Sequence, residues 1–119
     1  MKFMLMCCFD EKRWHALSEA ERQKIMNDYG EFERKIESAG QRVTSVKLEP
    51  VAAAATVRAK SSKVVSTDGP FAETKEQLGG VHLIECRDID EAISIAARIP
   101  TLAAGGVVEV RPVQSMAAN

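Results

Sequence analysis

The order of elements in this 119-residue chain predicts an α+β fold, a ferredoxin-like sandwich with an added β-hairpin. Three observations carry the prediction. An apolar run opens the chain. Two segments of helical periodicity each begin at a capping pair. Strand-like segments flank both, so the chain reads β-α-β, hairpin, β-α-β.

Lys2 to Phe9 reads as a strand apolar on both faces, with Phe3, Leu5, Cys7 and Phe9 on one side and Met4, Met6 and Cys8 on the other. Such a strand belongs inside a sheet. Ser18 with Glu21 three residues later forms a capping box, with Leu17 placed as a hydrophobic staple. Ile25, Tyr29, Phe32 and Ile36 then make one helical stripe, with Met26 beside it, and Gly40 supplies the left-handed stop. Val43 to Leu48 is the next strand, ended by Pro50. Ala54 to Ala59 and Lys63 to Thr67 form a hairpin around Lys60-Ser61-Ser62, and the alanine run at 52–55 is compatible with helix, loop or strand. Gly80 to Cys86 is a strand, Asp88 and Glu91 cap a helix running to about Ile99, and Val107 to Val113 is the last strand. The tail from Gln114 is expected to fray.

Both helices should cover one face of the antiparallel sheet, leaving the second apolar face of the first strand without cover from this chain. A second copy packed face to face is the simplest cover, so a homodimer is expected.

Composition narrows the functional classes. The length fits one domain over 1–119, with 45% hydrophobic and 28% charged residues. Net charge is −1, from 16 basic and 17 acidic residues spread without a basic stripe, which argues against nucleic acid as a ligand. The run from Phe3 to Phe9 is too short to span a bilayer and lacks a cleavage site of small residues, so a cytoplasmic protein without a membrane role is the expectation. Three cysteines, two of them adjacent, do not make a disulfide framework, and Cys7-Cys8 reads as core packing rather than a redox pair. Two histidines in unrelated segments and no Cys-x-x-Cys give no metal-ligand spacing. Gly79-Gly80 and Gly105-Gly106 precede strands rather than helices, so no phosphate loop and no cofactor is expected.

The segment from Thr67 to Gly80 is much longer than a turn requires, and Asp68-Gly69-Pro70 fixes a chain reversal within it. A long polar loop with a fixed bend is a common place for a site. Asp68 reads either as a site carboxylate acting as general base or ligand contact, or as a turn residue capping nearby N–H groups. Gly69, Pro70, Phe71 and Glu73 would surround a ligand there, although Phe71 reads first as a residue packing under the loop and Glu73 and Lys75 equally as a solvated surface. Trp14 and His15 lie in the loop after the first strand, where Trp14 would form a pocket rim or an interface contact.

These stretches carry a family resemblance. Met1 to Leu5, Leu17-Ser18, Thr56-Val57-Arg58, the whole of Thr67 to Gly80 with its Asp-Gly-Pro-Phe signature, Ala96 to Pro100 and Val108 to Pro112 resemble the YciI-like (YCII-related) proteins over almost the entire chain. The resemblance implies a dimeric α+β barrel with a pocket between two sheets. It also implies lyase-like or dehydrochlorinase-like acid–base chemistry on small organic molecules through a His-Asp pair. In other members it implies association with extracytoplasmic-function sigma factors. The histidine of that pair lies on the first long helix, about three turns from its end. Here, counting back from Gly40, Tyr29 stands in that place. Tyr29 is a hydrogen-bond donor or weak acid, and with an ordinary pKa of about 10 it is a poor base near neutrality. His82, alternating with Ile84 and Cys86, would line the pocket if its strand face looks into the dimer barrel, and is otherwise a satisfied buried histidine.

Overall fold

The computed structural model describes residues 1–115. Its strands are β1 (Lys2–Phe9), β2 (Arg42–Lys47), β3 (Ala55–Lys60), β4 (Lys63–Asp68), β5 (Gln77–Glu85) and β6 (Val107–Pro112). Its helices are α1 (Glu11–Ala16), α2 (Glu19–Ser38) and α3 (Ile89–Ala96). Four strands form an antiparallel sheet in the order β2-β5-β1-β6, with β1 central as its two-sided apolar run requires. That strand order, with α2 and α3 on one face, is ferredoxin-like, and β3-β4 is the added hairpin.

The helix termini follow their capping residues. Ser18 Oγ accepts from the Glu21 N–H while the Glu21 carboxylate accepts from the Ser18 N–H, closing the box. Gly40 takes φ +70°, a conformation glycine adopts without strain, and ends α2. Asp88 caps α3, but Glu91 reaches back to the N–H of Arg87 rather than to Asp88 itself.

Several boundaries differ from the sequence reading. The segment after β1, read as a loop, is α1, started by the Asp10 carboxylate accepting from the Lys12 N–H. The alanine run resolves into a short 3-10 turn at Val51–Ala53, followed by β3. β5 begins at Gln77, so Gly79 and Gly80 lie inside it, and α3 ends at Ala96 with a 3-10 turn over Pro100–Ala104 before β6. Of the tail expected to fray, residues 116–119 lie outside the described part.

The core sits between the sheet and the helices. Phe3, Leu5 and Ile84 from the sheet meet Phe32 and Ile36 of α2 and Ala92 and Ile95 of α3. Register puts His82 opposite Leu5 on β1 and opposite Ser45 on β2, which places its side chain on this helix-covered face. The uncovered face holds Met4, Met6, Val81 and Leu83, all partly exposed. Hairpin β3-β4 stands free of the four-stranded sheet, with Val57 65% and Val64 76% exposed. Among the described residues no helix is long and apolar enough to cross a membrane.

Candidate functional site

Two irregularities in the sheet build the site. Between β1 and β5 the register shifts after Cys7, so Gly79 of β5 has no partner on β1. Between β2 and β5 it shifts after Arg42, leaving Val43 as the extra residue. Residues 42 and 45 of a regular strand would point to opposite faces. The bulge turns them the same way, and Arg42 Nε donates to Ser45 Oγ at 3.0 Å.

Above this corner of the sheet, α2 presents Tyr29 and Glu33 one turn apart on a single face. His82, 4% exposed, lies beneath them, stacked on the Tyr29 ring and edge-on to Phe32. Its Nδ1 lies 2.8 Å from Ser45 Oγ and 3.1 Å from Glu33 Oε1, and its Nε2 lies 2.8 Å from Tyr29 Oη. Ser45 donates to Glu33 Oε2 at 3.1 Å, and Arg42 Nε approaches the same oxygen at 3.0 Å. With a carboxylate facing Nδ1, the proton sits on Nδ1, so Nε2 accepts from the Tyr29 O–H. The Tyr29 oxygen in turn lies 3.3 Å from Cys7 Sγ. One ordered chain runs from the Cys7 thiol through Tyr29 and His82 to a Glu33 carboxylate balanced by Arg42.

Burial sets the protonation states along this chain. It pushes Tyr29 well above the ordinary tyrosine value, helped by its neighbour Cys7, so the phenol keeps its proton. The Cys7 thiol is raised for the same reason. Burial lowers His82, opposed by the nearby Glu33 charge and reinforced by Arg42, so the imidazole is neutral at neutral pH. At rest the chain presents no net charge to its surroundings except the compensated Glu33–Arg42 pair.

The chain ends on the wall of a cavity of about 640 Å3 between α2, α1 and the β2 edge. This volume suits a small organic molecule. Tyr29, His82, Glu33, Ser45 and Cys7 share its wall with the apolar side chains of Phe9, Trp14, Ile25, Met26 and Leu48. The amino-terminal half of the α2 stripe is therefore cavity wall, while Phe32 and Ile36 are core. Trp14, at the carboxyl-terminal half of α1, packs edge-on against Phe9 and lines the cavity.

Thus Tyr29, His82 and Trp14 come together around one cavity. It is not the one expected: the His82 face looks at the helices of its own chain, because its register with Leu5 places it there, so the space it lines lies within the chain rather than between two sheets. Asp68, Gly69, Pro70, Phe71 and Glu73 do not line it. Asp68 ends β4 exposed to solvent, and among the described residues no hydrogen bond or ion pair reaches its carboxylate. The reversal beyond it is held instead by the Gly69 N–H donating to Ala54 O at 2.7 Å and the Thr56 hydroxyl donating to Gly69 O at 2.8 Å. Phe71 is 79% exposed and does not pack under the loop. Glu33, Arg42 and Ser45 were not singled out from the sequence, and Cys7 was read there as core packing. The available signal was an acid one turn after Tyr29 and beside Phe32, inside the helical stripe. Among the described residues no three His, Cys, Asp or Glu side chains converge as a metal site requires.

Comparisons with known proteins place the chain in a family. An uncharacterized protein of Rhizobium meliloti (strain 1021) is 39% identical over 113 residues, which is 94% of this chain and 91% of the relative. The YCII-related domain matches residues 1–117, and the chain belongs to that family.

Proposed function

We propose that the protein binds a small organic molecule in the α2 cavity and performs acid–base chemistry on it, with Tyr29 touching the substrate and His82 taking up the proton. The observation that carries this reading is the directed chain Tyr29–His82–Glu33, which terminates on a cavity wall. A substrate proton passes to Tyr29 Oη as the phenol proton passes to His82 Nε2. The imidazolium so formed is stabilised through Nδ1–H by the Glu33 carboxylate. Concerted passage matters, since a free tyrosinate is strongly disfavoured in this setting. Return of the proton at a different atom gives an isomerisation, and departure of a leaving group instead gives a lyase-type elimination.

The experiment is deuterium exchange into the α-carbon of indanone, an enolisable ketone, followed by proton NMR in heavy water. Wild-type protein is expected to accelerate exchange over buffer, and Tyr29→Phe to reduce that acceleration by roughly a hundredfold, the usual scale of a positioned acid–base group. Binding without exchange would leave a ligand-binding module and remove the catalytic half of the proposal. Absence of binding, with a sigma factor co-purifying, would replace it with the regulatory role implied for other family members.

The reading also takes the protein as a homodimer. Two apolar surfaces support this: the uncovered sheet face around Met4, Met6 and Leu83, and the free hairpin with Val57 and Val64 on one side. A two-stranded ribbon is marginal in water by itself, and one two-fold axis can cover both surfaces. Sedimentation at micromolar protein is expected to give twice the chain mass, and a folded monomer would end the dimer proposal.

A further inference from the structure

We infer that Gln77 is a positioning residue for the α2 cavity: acting through Glu11, it holds α1 so that Trp14 faces the ligand. This rests on the cavity being the ligand site, and it gives the loop after β4 an effect on a space that it does not line.

α1 brings Glu11, Trp14 and His15 to the cavity, at the i, i+3 and i+4 spacing of one helix face. Trp14 is the one tryptophan of the chain. It is half-buried, and among the described residues no acceptor takes its indole N–H, so that donor is not spent within the chain.

Apolar packing does not fix this wall by itself. The helix has six residues, none of them buried, and is too short to persist without tertiary support. Polar ties hold it at both ends. At the carboxyl end, Arg22 Nη1 of α2 donates to Leu17 O at 2.6 Å and to His15 O at 3.3 Å. At the amino end, the Glu11 N–H donates to Gln77 Oε1 at 2.8 Å. The Glu11 carboxylate accepts from the Val51 N–H at 3.0 Å.

The carboxamide of Gln77 is used on both sides. Its Oε1 takes α1, while its Nε2 donates to Thr74 O at 2.6 Å and to Lys75 O at 3.4 Å. An N–H on one side and carbonyls on the other admit only this orientation of the amide. Gln77 opens β5 opposite Phe9, so it ties α1 to the strand that carries His82. The run Thr74–Gln77–Glu11–Val51 joins four separate stretches of chain, and Glu11 and Gln77 are themselves cavity wall. The loop after β4 therefore supplies no wall, but its last carbonyls brace the residue that does.

The test reads acrylamide quenching of the Trp14 emission in wild type, Gln77→Leu and Glu11→Ala, beside the kinetics of indanone exchange. Both variants should unfold cooperatively in urea, yet quench in the native state toward the level of the unfolded chain. They should raise the KM for indanone roughly tenfold, the size of one lost hydrogen bond. The loss should fall on KM rather than kcat, because Tyr29, His82 and Glu33 keep their contacts. Where Gln77→Leu does not fold, Glu11→Ala decides, since it cuts the same run from the exposed side. Wild-type quenching in the folded variants overturns the inference whatever their urea midpoints, and so does a loss confined to kcat. Failure of wild type to exchange or bind indanone overturns the proposed function instead, and the quenching still decides whether Gln77 holds α1.

Discussion

His82 and Phe71 are both aromatic side chains in segments that the sequence marks as functional, yet they end in opposite physical states. His82 is 4% exposed and held at both nitrogens, whereas Phe71 is 79% exposed and only its carbonyl is engaged, by Arg58. The difference comes from the surroundings rather than the residue. His82 lies on a central strand under a twenty-residue helix, while Phe71 lies beyond a two-stranded ribbon that pairs with no strand of the four-stranded sheet. A polar group in the first setting has a fixed direction and a shifted protonation equilibrium. In the second it faces solvent and has neither.

Truncation separates the two settings most sharply. His82→Ala removes a ring packed on Tyr29 and Phe32 and takes one partner each from the Tyr29 hydroxyl and Glu33. It should cost about 3 kcal/mol in urea denaturation, in the range of large-to-small core changes. Phe71→Ala should fall within about 0.5 kcal/mol of wild type, as exposed substitutions do. A cost for Phe71→Ala comparable to that of His82→Ala would mean that the loop is buried in solution, against a second copy of the chain.

Titration gives a smaller effect with a defined sign. The folded protein holds His82 below its ordinary value of 6.5, while the unfolded chain titrates near that value. Between the two values the unfolded state binds more protons, so stability rises with pH through the window. The His82 contribution is therefore complete above about pH 6.5 and is lost as the pH falls toward the folded value. Urea midpoints measured from pH 7.5 downward should decline, and His82→Asn should remove that part of the decline. A midpoint that rises on acidification would mean the Glu33 charge outweighs burial and that His82 is held protonated.

The same contrast explains what was legible in the sequence. Helix starts were readable because Ser18-Glu21 and Asp88 cap through contacts only three residues apart. The central position of β1 was readable from its two-sided apolar run. The site was half readable. Tyr29 and His82 stood out as a phenol in a stripe and an imidazole in a strand, but Arg42 and Ser45 reach them only through a bulge that no local pattern announces. The face on which His82 lies depends on pairing with Leu5, seventy-seven positions away, which periodicity alone cannot assign. The loop after β4 stands apart from the α2 cavity for the converse reason. Asp-Gly-Pro-Phe advertises a bend, and the bend is real, but a bend does not supply walls.

The arm offers two milder tests. Gly69 has φ +93°, in the region that disfavours a β-carbon, and no atom would lie within 4 Å of an added one. Gly69→Ala therefore carries backbone strain without a clash and should cost about 1 kcal/mol. Part of this cost would appear as faster amide exchange at β3 and β4 rather than as global unfolding, because the ribbon has few contacts to hold it. Equal loss of protection across the four-stranded sheet would show that arm and body unfold as one unit.

Asp68→Asn is the finest discriminator and should change least. Among the described residues no hydrogen bond or ion pair reaches this carboxylate, so the neutral amide should leave the urea midpoint within about 0.5 kcal/mol and the indanone exchange rate unchanged. The comparison sharpens if that rate falls while stability holds. A solvent-exposed carboxylate outside the cavity can influence a proton transfer there only if another molecule brings it close. The candidate is the arm of a second copy, whose mutant protein would then have to restore activity when mixed with a Tyr29→Phe partner. Such complementation requires each active cavity to take Tyr29 from one chain and Asp68 from the other. An Asp68→Asn protein that keeps the full rate confines the chemistry to the α2 cavity of one chain.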